Sequence, residues 1–190
     1  MNINAAIKKG AEILKKNDIK YPDLDCEILL AKVLKKQRKY LILNLDKQIH
    51  KENLETYKNL INQRSIGKPI AYLIKKKNFW DSEFIIEEGT LIPRPDTETL
   101  IEATLEIYKN KNYANILDIG AGSGCIILSI LKEKPCFYGK GIDISSKSIS
   151  LSNRNAKRLS IENRVEFIKT DVDNFCIGKY DLVISNPPYI

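Results

Sequence analysis

Asn115-Ile116-Leu117-Asp118-Ile119 runs directly into Gly120-Ala121-Gly122-Ser123-Gly124, and then into the apolar stretch Cys125 to Leu131. A short apolar run closed by glycines reads as a buried strand, and the longer apolar stretch after the turn reads as a helix. The same alternation continues downstream. Phe137 to Ile142 reads as a second strand ending at Asp143, and Ser145/Ser146 can cap a helix running to about Leu159. Val165 to Ile168 reads as a third strand ending at Thr170-Asp171. Tyr180 to Ile184 reads as a fourth, ending at Ser185-Asn186-Pro187-Pro188-Tyr189. Upstream, Asp96-Thr97-Glu98-Thr99 opens a helix carrying Leu100, Ile101, Leu105 and Tyr108. Strands alternating with helices imply a parallel, right-handed α/β sheet.

Every chemically distinctive group then falls at the C-terminal end of a strand, where open parallel sheets bind their ligands. The loop reads Gly-x-Gly-x-Gly directly after an acid, Asp118, rather than the Gly-x-Gly-x-x-Gly of a dinucleotide site. A carboxylate beside the loop suits the cationic amino-acid end of S-adenosylmethionine better than a pyrophosphate. Asp143, ending the next strand, can accept from both hydroxyls of a ribose, and Asp171 ends the strand where a base edge would lie. No Gly-x-x-x-x-Gly-Lys-Ser/Thr occurs, which excludes a P-loop nucleotidase.

Asn186-Pro187-Pro188-Tyr189 carries the sharpest chemistry. Prolines lack N–H groups, so this backbone presents carbonyl oxygens only. The Asn186 side-chain oxygen beside the Pro187 carbonyl gives two acceptors for one –NH₂ group, and Tyr189 offers a flat surface for a planar amide or base. A conjugated –NH₂ is a poor nucleophile because its lone pair is delocalised. Two acceptors favour the pyramidal geometry that develops as the nitrogen is alkylated. Adenine N6 and a glutamine amide both meet this description, and the motif does not separate them.

The first half reads as a small helical bundle. Ile3, Ala6, Ile7, Gly10 and Ile13/Leu14 recur at helical spacing, as do Leu24, Ile28 and Ala31 after the break at Tyr21-Pro22-Asp23, and Leu54, Tyr57 and Ile61 over 51–65. From Ile70 the pattern changes, and the stretch to Ile92 reads as a β-hairpin connecting two domains, with Lys75 to Lys77 blunting its edge and Phe79-Trp80 as a packing anchor. The expected division is a helical domain at 1–72, a hairpin linker at 73–93 and a sheet domain at 94–190. Residues 1–90 hold 18 basic and 12 acidic side chains, against 13 and 12 in the remainder, so most of the net +7 lies in the first half. Few of these are arginines and none is interleaved with aromatics, which argues against direct nucleic-acid binding. No apolar run approaches the ~20 residues of a membrane span. Four scattered cysteines and the single His50 give no zinc site, no disulfide framework and no Ser-His-Asp triad, so no metal is expected and the cytoplasm is the expected compartment.

The chain resembles the bacterial peptide chain release factor glutamine-N5 methyltransferases of the HemK/PrmC type. The resemblance rests on Asp25-Cys26-Glu27-Ile28-Leu29-Leu30-Ala31, Gly67-Lys68-Pro69-Ile70-Ala71-Tyr72-Leu73, Leu91-Ile92-Pro93-Arg94-Pro95-Asp96-Thr97-Glu98, the Asp118–Gly124 segment and Ser185 to Ile190. It implies a Rossmann-like S-adenosylmethionine-dependent fold, with the cofactor held by Gly120, Ala121, Gly122, Ser123, Gly124, Asp143, Asp171, Val172 and Asn186. It implies that Asn186, Pro187, Pro188 and Tyr189 hold the glutamine of a release factor's Gly-Gly-Gln loop, with Asn186, Pro187 and Tyr189 acting in transfer. The helical domain would dock the release factor, and the chain is read as a monomer. Ribosomal-protein glutamine and nucleic-acid adenine-N6 methylation are the alternative reactions, and an inactive remnant the alternative class. Lys75 and Val172 depart from the family pattern, which often places glycine and an aromatic at these positions. The family sheet has further elements after Asn-Pro-Pro-Tyr, so a truncated or partial form with about four strands is expected.

Overall fold

The computed structural model describes residues 1–187, and the chain divides into two compact units, Met1–Lys75 and Lys76–Ile190. The first unit is helical: α1 (Ile3–Lys15), α2 (Pro22–Leu34), α3 (Arg38–Leu43), α4 (Lys51–Ser65) and α5 (Ile70–Ile74). Asn2 caps α1 by accepting from the Ala5 N–H at 2.9 Å, and Pro22 occupies the first turn of α2. Leu14, Cys26, Leu29, Leu30, Leu41, Tyr57 and Ile61 form its core. Gly10 marks the closest approach of helices there, since a Cβ would lie 2.5 Å from the Tyr57 hydroxyl and 2.9 Å from Cys26 Sγ. One ion pair crosses this core. Arg64 of α4 donates to Asp25 of α2 at 2.7 Å and to the Lys68 carbonyl at 3.1 Å.

Two helices of this unit differ from the sequence reading. α3 is only six residues long and buries only Leu41, too little for a periodic signal. Ile70–Ile74 is a helical turn rather than the start of a hairpin. It buries Ala71 and Leu73, two residues apart, and such spacing in one turn imitates the alternation of a strand. Lys75 ends α5 in the left-handed conformation at φ +61°, which is where the family pattern favours glycine.

The second unit opens with the hairpin of β1 (Lys76–Phe79) and β2 (Ser82–Ile85), in register Lys76↔Ile85 to Phe79↔Ser82. Trp80, at φ +51°, turns the chain; its backbone N–H donates to Glu98 and its indole N–H to Glu133, both at 2.8 Å. After a 3₁₀ turn at Pro95–Thr97 come α6 (Glu98–Ile107), β3 (Asn115–Ile119), α7 (Cys125–Glu133), β4 (Tyr138–Asp143), α8 (Ser146–Arg158), β5 (Val165–Lys169) and β6 (Leu182–Ser185). Four parallel strands are ordered β5-β4-β3-β6, so the α/β class and strand count expected from the sequence are found. Ser145 caps α8 by accepting from the Ser148 N–H. Gly139 and Gly141 of β4 admit Ile127 and Phe167 against the sheet, since a Cβ at either would come within 2.6 Å of those side chains. Ile116, Ile127, Leu128, Phe137, Ile142, Leu151 and Phe167 fill the core.

Candidate functional site

The chain order of the strands reverses at β3. Its neighbours are β4, the next strand, on one side and β6, the last, on the other, and such a switch point is where open parallel sheets form a crevice at the C-terminal ends of their strands. A cavity of about 430 Å³ occupies this place. Gly120 and Gly122 line it from the loop after β3, Asp143 from the end of β4, Asp171 and Val172 from the segment after β5, and Asn186 and Pro187 from the end of β6. The glycine loop and the start of the Asn-Pro-Pro-Tyr segment therefore share one cavity. Pro188 and Tyr189 lie outside the described residues.

The loop is shaped by three left-handed glycines, Gly120 (φ +73°), Gly122 (φ +56°) and Gly124 (φ +77°). At Gly120 nothing lies within 4 Å of where a Cβ would be, so the backbone borders open space. Gly124 is different: a Cβ there would press on Leu128, Phe167 and Ser152 at 3.0–3.1 Å, which makes it a packing glycine at the start of α7. Ala121 and Ser123 are buried and do not line the cavity. Of the five loop residues expected to meet the cofactor, the structure thus brings two to the cavity wall and uses three to hold the turn.

Asp143 is fixed before any ligand arrives. One carboxylate oxygen accepts from the Gly122 N–H at 3.0 Å and the other from the Ser145 N–H at 2.8 Å. Each oxygen keeps a lone pair, so the acceptor face toward the cavity remains usable. Asp171 also serves its own turn, accepting from the Asp173 N–H at 3.1 Å, while Val172 is 48 % exposed and offers an aliphatic surface. The Asn186 amide nitrogen donates to Thr97 Oγ1 at 3.3 Å. That bond leaves the carbonyl oxygen at the other end of the amide without a hydrogen bond among the described residues. Thr97 belongs to the Pro95-Asp96-Thr97-Glu98 segment, 89 residues earlier in the chain. Sequence reading missed this contact, and also missed Gly89, Thr90 and Leu91, which line the same cavity.

Behind the loop lies Asp118, 1 % exposed, facing the Ile127 N–H at the start of α7 but with no well-formed hydrogen bond to either carboxylate oxygen among the described residues. Burial, opposed by the Ile127 N–H and aided by the charge of Asp143, pushes its carboxyl up to about 7. A buried acid without a partner costs free energy, and the cationic end of a ligand arriving over the glycine loop would offset it. The orphaned carboxylate, the open backbone at Gly120 and Gly122, and the pre-set acid Asp143 together fit a nucleoside bearing an amino-acid cation. Among the described residues no group of three or more His, Cys, Asp or Glu could hold a metal, and no helix is long and apolar enough to cross a membrane.

Comparison with known proteins places the chain in a family. Residues 5–74 match the family model of the PrmC N-terminal domain and residues 96–190 that of the methyltransferase small domain. A release factor glutamine methyltransferase from Buchnera aphidicola subsp. Schizaphis graminum is 40 % identical over 190 residues, spanning all of this chain and 68 % of the relative. The Clostridium acetobutylicum protein of the same name is 40 % identical over 198 residues, with the same coverage. The one from Vibrio cholerae is 37 % identical over 191 residues, covering all of this chain and 66 % of its own length. Among solved structures, a SAM-dependent methyltransferase from Geobacter sulfurreducens in complex with S-adenosyl-L-homocysteine is similar over 48 % of this chain and 36 % of that one, at 25 % identity and a TM-score of 0.42. With two domain models matched in order and relatives aligned along its whole length, the chain belongs to the release factor glutamine methyltransferase family.

Proposed function

We propose that the chain binds S-adenosylmethionine in the cavity at the ends of β3, β4 and β5 and methylates the N5 side-chain amide of the glutamine in a release factor's Gly-Gly-Gln loop. The observation that carries this reading is the single cavity joining Gly120, Gly122 and Asp143 to Asn186 and Pro187. The bound cofactor supplies an electrophilic methyl group on a sulfonium. Asp143 and Asp171 would hold the nucleoside, with Val172 against the base, while the loop and Asp118 receive the amino-acid end. Asn186 Oδ1 and the Pro187 carbonyl would each accept one hydrogen of the glutamine –NH₂, fixing the amide and favouring a pyramidal nitrogen as charge develops. Tyr189 would give the amide a flat surface. No histidine base is required, since the nitrogen can shed a proton to water after it has been alkylated.

We further read the helical segment 1–72 as the part that docks the release factor, 73–93 as a hairpin linker, and 94–190 as the methyl-transferring part. The excess of lysine in the first half supports a partner with an acidic face. We take the chain to act as a monomer in the cytoplasm, without direct nucleic-acid contact. The test is mass spectrometry of a purified release factor after incubation with the chain and cofactor. The expected result is a mass gain of one methylene on the Gly-Gly-Gln glutamine, reduced at least about 10²-fold in Asn186→Ala. Methylation of adenine in added nucleic acid, with the glutamine untouched, would replace this reading by its rival.

A further inference from the structure

Asn155 lies within α8 and is fully buried. Its side-chain oxygen accepts from the Ile85 N–H at 2.7 Å, and its amide nitrogen donates to the Ile85 carbonyl at 3.1 Å and to the Ser123 carbonyl at 2.9 Å. Both amide hydrogens and one acceptor site are used. Ile85 closes β2 of the hairpin, and Ser123 stands between the left-handed Gly122 and Gly124. One side chain therefore joins the hairpin to the loop that borders the cavity, without lining the cavity itself.

The loop needs such a constraint. Glycine populates the left-handed region and its alternatives about equally, so three glycines in five residues leave the loop conformation undecided locally. The first half of the loop is tied to β4, because the Gly120 and Ala121 N–H groups both donate to the Ile142 carbonyl at 2.9 and 3.0 Å. Beyond Gly122, the Ser123 carbonyl is held by Asn155 alone among the described contacts.

We propose that Asn155 is a positioning residue for the glycine loop: by holding the Ser123 carbonyl it keeps the loop in the shape that receives the cofactor, and it makes that shape depend on the hairpin. The inference rests on the reading of the cavity as the S-adenosylmethionine site. It concerns binding rather than transfer, so it can be tested with S-adenosylhomocysteine and no protein substrate.

Calorimetric titration of the 190-residue chain and amide hydrogen exchange provide the measurements. Asn155→Ala is expected to weaken S-adenosylhomocysteine binding about tenfold and to speed exchange across residues 119–125. Asn155→Asp, which keeps an acceptor for Ile85 and loses the donors, is expected to do the same. Arg158→Ala serves as the control; it removes an ion pair from the same helix to Glu83 of β2 that does not reach the loop, and is expected to change affinity by less than about twofold. Equal affinity in Asn155→Ala and the unaltered chain overturns the inference, as does an equal loss in Arg158→Ala. In case the Asn155 variants do not fold, the unaltered chain still decides: saturating ligand is expected to slow exchange at the Ile85 amide together with Ser123 and Gly124, and an unchanged Ile85 overturns the inference. Absence of binding by the unaltered chain overturns the cavity reading itself, and the inference falls with it.

Discussion

Asp118 shows how one side chain can set a stability against a function. Its carboxyl titrates near 7 in the folded chain and in the ordinary carboxylate range when unfolded. Below that ordinary range both states are neutral and burial of the acid adds no pH-dependent cost. As the pH rises, the unfolded chain releases this proton first, so stability falls until the folded-state value is passed, by up to about 4 kcal/mol. Asp118→Asn is expected to unfold at a higher temperature than the parent at pH 8, with the advantage vanishing toward pH 4. Thermal melts across that range check it, and a constant offset would contradict it. The same variant is expected to bind S-adenosylhomocysteine more weakly, because the buried carboxylate behind the loop no longer adds its attraction for the ligand's ammonium. Thr97 poses the complementary question for the acceptor side. Thr97→Val removes the group to which the Asn186 amide donates and frees that amide to rotate, whereas Thr97→Ser keeps it. Turnover is expected to fall about tenfold in Thr97→Val and to persist in Thr97→Ser, with cofactor affinity unchanged in both. A Thr97→Ser variant as slow as Thr97→Val would remove the hydroxyl from the account.

Among the elements, the shortest carry the most local conflict. α5 has five residues and ends on a lysine held left-handed, a conformation that costs a non-glycine residue about 1 kcal/mol. Lys75→Gly is expected to recover roughly that amount, seen as a higher denaturation midpoint with an unchanged slope. A lower midpoint would mean that the extra freedom of glycine in the unfolded chain outweighs the relief. The elements also show what a sequence can disclose. The strand–loop–helix around Gly120 to Gly124 was legible because period, glycine content and apolar run length agree there. The ends of the four parallel strands were legible because a glycine closes β3, an acid ends β4 or soon follows β5, and a proline soon follows β6. α3 and α5 were not, since one helical turn has no period to read. The division of the glycine loop into cavity wall and packing residues was equally hidden: whether Gly124 faces a ligand or Phe167 depends on β5, more than forty residues later in the chain. The bonds of Asn155 to Ile85 and of Thr97 to Asn186 span 70 and 89 residues and leave no mark in either local segment.

At the scale of the whole molecule, each unit closes its own core, and the cavity is lined from Gly89 onward by residues of the second unit only. Arg64→Ala leaves Asp25, 7 % exposed, without its partner in the first unit, a change expected to cost about 3 kcal/mol there. S-adenosylhomocysteine affinity is expected to stay within about twofold of the parent. Calorimetry on that variant checks it, and a large loss of affinity would show that the helical unit contributes to cofactor binding. Within the second unit the two sides of the cavity rest on unequal supports. The loop side is flanked by β3 and β4, each hydrogen-bonded along both edges, while β6, which leads into Asn186, is paired along one edge among the described residues. On warming, the β3–β4 side of the cavity is therefore expected to be among the last parts of this unit to open, which hydrogen exchange at the Gly120 and Ala121 amides would read.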